Sequence, residues 1–70
     1  MSKKVLYLNA LLAKQIAKKT QATALFEVHS DSTSPEAMSI LEDALSELFE
    51  AESKINILKY MLESAKKNED

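Results

Sequence analysis

Apolar side chains return every three or four residues through both halves of this 70-residue chain, and no segment sustains a period of two. That spacing gathers them on one side of an α-helix, whereas strands need strict alternation. From Pro35 to about Lys67 nothing interrupts the pattern. Laid out at about 100° per residue, it puts Met38, Leu41, Ala44, Leu45, Leu48, Ala51, Ile55, Leu58 and Leu62 on one face. In the first half the matching stripe runs through Val5, Leu8, Leu12, Ile16, Ala22 and Phe26, with Leu11 at its flank. It is weaker in the middle, where Gln15, Lys19 and Thr23 fall close to the same line. Small residues there (Ala13, Ala17, Ala22, Ala24) permit close approach but bury little area.

The two periodic segments are separated by His29-Ser30-Asp31-Ser32-Thr33-Ser34-Pro35, the only stretch rich in turn and capping residues. Ser34 reads as an N-cap, Pro35 takes the first helical position, and Glu36 sits in the first turn where the helix dipole favours a carboxylate. Lys66 and Lys67 suit the opposite end of that dipole. The first helix has only Ser2 as a candidate cap. Lys3 and Lys4 stand unfavourably at its positive end, so fraying is expected there. The expected architecture is all-α: one domain over 1–70, an antiparallel, coiled-coil-like two-helix hairpin. Helix 1 runs over about 4–27, a loop over 28–34, and helix 2 over about 35–67.

The side chains left off these stripes are the informative ones. Leu6, Tyr7 and Leu25 lie off the first seam; Ile57, Tyr60 and Met61 project away from the second, and Phe49 lies at its edge. In an antiparallel hairpin turning near residue 31, Leu6, Tyr7, Ile57, Tyr60 and Met61 gather at the end far from the loop. Two helices cannot cover both a seam and a second face, and a contiguous exposed apolar patch marks a protein contact. The pattern leaves open whether the contact is a second copy, as in a four-helix bundle, or a different protein.

Composition narrows the function classes by what is missing. The chain is 46% apolar and 29% charged, too apolar for a disordered tail, and it has neither cysteine nor glycine. Disulfides, Cys-zinc sites, thiol nucleophiles and glycine-rich phosphate loops are therefore excluded. A domain this short buries only about 60% of its unfolded surface. No apolar run approaches the roughly 20 residues of a membrane span, and Val5-Leu6-Tyr7-Leu8 is too short for a signal-peptide core, so an intracellular, soluble module is expected.

Charge is unevenly placed. Residues 1–26 carry five lysines and no acid, residues 27–70 eleven acids and four lysines, and the whole chain is −2. Folding the hairpin sets Lys14, Lys18 and Lys19 beside Glu42, Asp43, Glu47 and Glu50, which favours this pairing by a few tenths to about 1 kcal/mol per exposed pair. A basic helix could also face RNA or DNA, as in a homodimeric four-helix regulator. Against this, a net-acidic chain without arginine lacks the bidentate side chain suited to phosphate and guanine. No nucleic-acid partner is expected. Intermingled Leu45, Leu48 and Phe49 make the acidic block an ordinary amphipathic face.

No catalytic constellation emerges. His29 is the sole histidine and has no cysteine beside it. The serines at 30, 32 and 34 are accounted for by turn and capping chemistry, with no orienting group or oxyanion site. The carboxylate pairs Glu42-Asp43 and Glu50/Glu52 fall on helix surfaces where no cleft raises a pKa. The expectation is a non-enzymatic chain with no cofactor and no metal. An antitoxin or inhibitor that wraps one protein remains a further alternative.

The second helix carries a resemblance. Pro35-Glu36, Met38, Leu45, Leu48 and above all Ala51-Glu52-Ser53-Lys54-Ile55-Asn56-Ile57-Leu58-Lys59-Tyr60 resemble the C-terminal helix of the type III secretion needle-subunit co-chaperone family. These are the small helical-hairpin proteins of the YscE/PscE/SsaE/EscE type. The likeness covers residues 35–60; helix 1 is similar only in length and amphipathicity. It implies a hairpin that binds a larger TPR-like co-chaperone. Through it, the needle subunit is held soluble and unpolymerised in the bacterial cytoplasm before export. It also implies contact residues at Ile55, Ile57, Leu58 and Tyr60, to which the face analysis adds Tyr7, Leu11 and Met61. Tyr60 is the expected anchor, because tyrosine combines a large rigid surface with a polar tip.

Overall fold

A computed structural model describes residues 2–68; residues 1, 69 and 70, within the expected domain, lie outside the described residues. The chain forms two α-helices, α1 (Lys3–His29) and α2 (Pro35–Lys67), packed against each other with no strand among the described residues. The hairpin is long and thin, 55 × 14 × 12 Å between Cα extremes. Both helix starts are capped by serine. The Ser2 hydroxyl accepts from the Val5 N–H at 3.2 Å and the Ser34 hydroxyl from the Ala37 N–H at 3.1 Å, each answering one of the first-turn donors that lack a helical acceptor. Where fraying was expected, α1 begins at Lys3 on its Ser2 cap.

The first helix also ends later than its sequence pattern suggests. Val28 and His29, expected in the loop, belong to α1, which leaves 30–34 as the connection. No glycine or proline precedes Pro35 to end the helix earlier, and the turn closes locally. The Ser30 hydroxyl donates to the Glu27 carbonyl at 3.0 Å, and the Ser32 N–H to the His29 carbonyl at 3.2 Å. At the far end of α2 the Asn68 N–H donates to the Ser64 carbonyl at 3.2 Å.

The seam follows a stricter rule than a 3.6-residue stripe. In α2 the buried or half-buried line is Ala37, Leu41, Ala44, Leu48, Ala51, Ile55, Leu58, Leu62 and Ala65, with steps of four and three throughout. In α1 the same steps pass through Val5, Leu8, Leu12, Gln15, Lys19 and Ala22. This is the 3.5-residue heptad repeat of a coiled coil. Alternate seam positions of α2 are alanine except at Leu58, so the helices approach closely while burying little area each. The largest apolar cluster is at the open end, where Val5 and Leu8 meet Leu58, Leu62 and Ala65, with Leu12 against them.

Several positions assigned to the seam by the 3.6-residue projection are corrected by this repeat. Met38 (52% exposed), Leu45 (56%) and Ile16 (45%) face solvent. Phe26 keeps a heptad position but stays exposed beside the connection. A straight 3.6-residue projection drifts by about 20° per heptad from a 3.5-residue seam, which over four heptads exchanges one flank for another. Gln15 and Lys19 take the places given to Ile16.

Candidate partner-binding groove

The heptad places two kinds of residue beside the seam on each flank, and one flank holds a continuous groove. Its apolar part, of about 300 Å³, is lined by Leu11, Gln15, Lys54, Ile57 and Leu58. Toward the connection it continues through Gln15 and Lys54 into a polar part of about 160 Å³, walled by Lys18 and Gln21 from α1 and Glu47 and Glu50 from α2. The groove exists because the seam beneath it is narrow: Ala51 forms part of the floor, and Gln15 is buried at the point where the two parts join. No buried side-chain polar atom among the described residues lacks a partner, so the Gln15 amide is served by solvent through this opening or by a neighbour.

The seven contact residues inferred from sequence divide into three groups. Leu11 and Ile57 come together across the groove from opposite helices and are both exposed. Tyr7 and Met61, also exposed, lie one turn further toward the open end on the same flank, so the apolar rim extends past the groove. Ile55 and Leu58 are placed differently, only 5% and 9% exposed: their side chains are spent on the seam, and Leu58 reaches the groove only as its floor. Tyr60 stands apart. At about 100° per residue it lies roughly 160° round α2 from Leu58, on the outer face. There it lines a shallow depression with Glu63, Ser64 and Lys67. Tyr60 is 74% exposed, available to a partner that wraps the helix but not to one seated in the groove.

Gln15 and Lys54 were not singled out from sequence, although Gln15's position on the apolar line was the available signal. Charge pairing is also rearranged. The only ion pair among the described residues joins Lys19 to Glu52, and it lies on the flank opposite the groove. Lys19 occupies a seam position, so its stem lies over apolar surface while its ammonium emerges at the Glu52 carboxylate. The acids expected to take this role, Glu42, Asp43, Glu47 and Glu50, form no ion pair among the described residues. Thr23, also near the seam, turns its hydroxyl back to the Lys19 carbonyl at 2.8 Å.

Among the described residues no three His, Asp or Glu side chains converge to hold a metal ion, and no helix is long and apolar enough to cross a membrane. What the flank offers is an open, shallow trough, apolar at one end and oppositely charged on its two walls in the middle. No family model, curated protein or solved structure matches this chain.

Proposed function

We propose that this chain is a non-enzymatic, cytoplasmic co-chaperone of a bacterial type III secretion system. It pairs with a larger TPR-like chaperone, and the two keep the needle subunit soluble and unpolymerised before export. The observation that carries the reading is the exposed apolar trough at the open end, where Leu11 and Ile57 flank Leu58. A hairpin with so thin a seam gains stability by lending this surface to a second protein, and an amphipathic helix of a helical-repeat chaperone has the shape to lie in it. The run Ala51–Tyr60, similar to the family's C-terminal helix, supplies Ile57 to that trough and Tyr60 to the outer face.

Co-expression of the tagged chain with a helical-repeat chaperone and a needle-type subunit encoded beside it tests the reading. The expected result is a stable complex with one copy each of the chain and the chaperone. Ile57→Asp should weaken it by at least about tenfold, as expected for a charge placed in a buried apolar contact. If no such complex is recovered, or if Ile57→Asp and Tyr60→Asp both leave it intact, the co-chaperone reading fails.

A further inference from the structure

The flank opposite the groove carries a second apolar surface. The heptad puts Ile16 on this side of α1 and Met38, Leu45 and Phe49 on this side of α2, and all four are exposed. Phe49 stands near its middle, 73% exposed. The polar groups among these side chains are already answered within the chain. Lys19 is paired with Glu52, the Thr20 hydroxyl donates to the Ile16 carbonyl at 3.0 Å, and the Thr23 hydroxyl donates to the Lys19 carbonyl at 2.8 Å. A partner that covers this floor strands no polar group there, which would otherwise cost about 1–3 kcal/mol each.

The edges of the patch are acidic. Lys19 and Glu52 stand level; eight residues further along α1 lead to Glu27, and ten back along α2 lead to Glu42. In an antiparallel hairpin these two carboxylates lie within about one turn of the same height, one on each outer edge of the patch. Both residues are exposed, and neither forms an ion pair among the described residues. The surrounding chain has nothing to neutralise them: residues 20–53 hold eight acids and neither lysine nor arginine. The surface therefore has an apolar, internally neutral floor between negative rims.

We propose that this flank docks a basic amphipathic helix of a different protein, laid against the hairpin as a third helix. The apolar stripe of that helix covers Leu45 and Phe49. Lysine or arginine on either side of the stripe reaches Glu27 over one edge and Glu42 over the other. From the level of Ile16 to that of Met38 the patch extends for about 15 residues of α2, or about 22 Å, which asks for a helix of about four turns. A second copy offering the same flank brings the same acidic rims and is disfavoured by charge. This surface and the groove lie on opposite flanks, so the inference does not depend on the co-chaperone reading. With both faces filled, the hairpin joins two proteins.

Fluorescence anisotropy with the full chain and two labelled synthetic helical peptides of about 18 residues tests the proposal. Both peptides carry the same heptad stripe of leucine; one has lysine on each side of the stripe and the other glutamate. The lysine peptide should bind at least about tenfold more tightly, with an affinity that falls as salt is raised from about 50 to about 500 mM. Phe49→Ala should raise its dissociation constant by about tenfold, and Glu27→Lys combined with Glu42→Lys by a similar factor. These positions face solvent in the free hairpin, so the variants keep the fold, which circular dichroism verifies. Ile57→Asp, on the groove flank, should leave peptide binding unchanged. Absence of binding overturns the proposal, as does equal binding of the two peptides. Binding lost in Ile57→Asp but kept in Phe49→Ala places the peptide in the groove and also overturns it. Self-association of the chain alone that Phe49→Ala abolishes assigns the patch to a second copy and overturns it as well.

Discussion

Leu62→Ala and Leu45→Ala are the same chemical change on the same helix, and the structure separates them sharply. Leu62 is 6% exposed and packs among Val5, Leu8, Leu58 and Ala65, whereas Leu45 is 56% exposed. Truncation to alanine removes three carbons, worth roughly 2.4 kcal/mol at about 0.8 kcal/mol per buried methylene. A two-layer hairpin is open at its sides, so the space left at position 62 relaxes more than one inside a closed core. The cavity term is correspondingly small, and a total of about 2.5–3 kcal/mol is expected, the low end for such substitutions. At position 45 less than half of the side chain leaves water on folding, and the loss should be about 1 kcal/mol. Both variants change helix propensity equally, so the gap of about 1.5–2 kcal/mol reports burial alone. Urea denaturation followed by far-ultraviolet circular dichroism measures both, with protein concentration held constant because association contributes to apparent stability. A domain of this size has only a few kcal/mol in hand, so Leu62→Ala should unfold at much lower urea. Equal losses at the two positions would refute the heptad seam and restore the 3.6-residue stripe.

Other consequences are open to measurement. Ser34→Ala removes the acceptor of the Ala37 N–H and should cost about 1 kcal/mol, with amide exchange accelerating first in the opening turn of α2. Gln15→Leu should raise stability by about 1 kcal/mol, because it replaces the one buried polar side chain of the seam with an apolar one of similar length; a lower urea midpoint would show that the Gln15 amide bonds within the fold. The loss of chaperone binding expected in Ile57→Asp probes the groove flank directly, because Ile57 lines its apolar part.

Close spacing of small residues explains why so slender a structure has a surface to lend. With alanine at positions 37, 44, 51 and 65, the seam of α2 uses a very short side chain at every alternate contact except Leu58. Many of the longer apolar side chains of both helices stand on the flanks instead. On one side Leu11, Ile57 and Met61 edge the groove. On the other, the heptad places Ile16, Leu45 and Phe49 around the Lys19–Glu52 pair. A two-layer unit built in this way buries too little to complete a core of its own.

Much of the hairpin was legible because it depends on local chemistry. The run from Ser34 to Glu36 specifies a helix start through a hydroxyl acceptor, a proline that needs no donor and a favourably placed carboxylate, whatever the rest of the chain does. The absence of glycine and cysteine excludes whole classes of site on the same local grounds. The apolar surplus at the open end also follows from counting faces, and the structure exposes Leu6, Tyr7, Ile57, Tyr60 and Met61 as that count requires. Which of them share a surface is another matter. It depends on the rotation of each helix about its axis, set when alanines on one helix meet apolar side chains on the other and the seam settles into a 3.5-residue repeat. That small difference in period, accumulated over about four heptads, turns Leu45 and Ile16 outward and draws Gln15 and Lys19 inward. Ile55 and Leu58 are on the seam in either period, and Tyr60 lies on the back of the helix rather than in the groove. Helices, their ends and their incompleteness are properties of the residues themselves. The groove, with its apolar end and its two oppositely charged walls, exists only once the two helices have fixed each other's rotation.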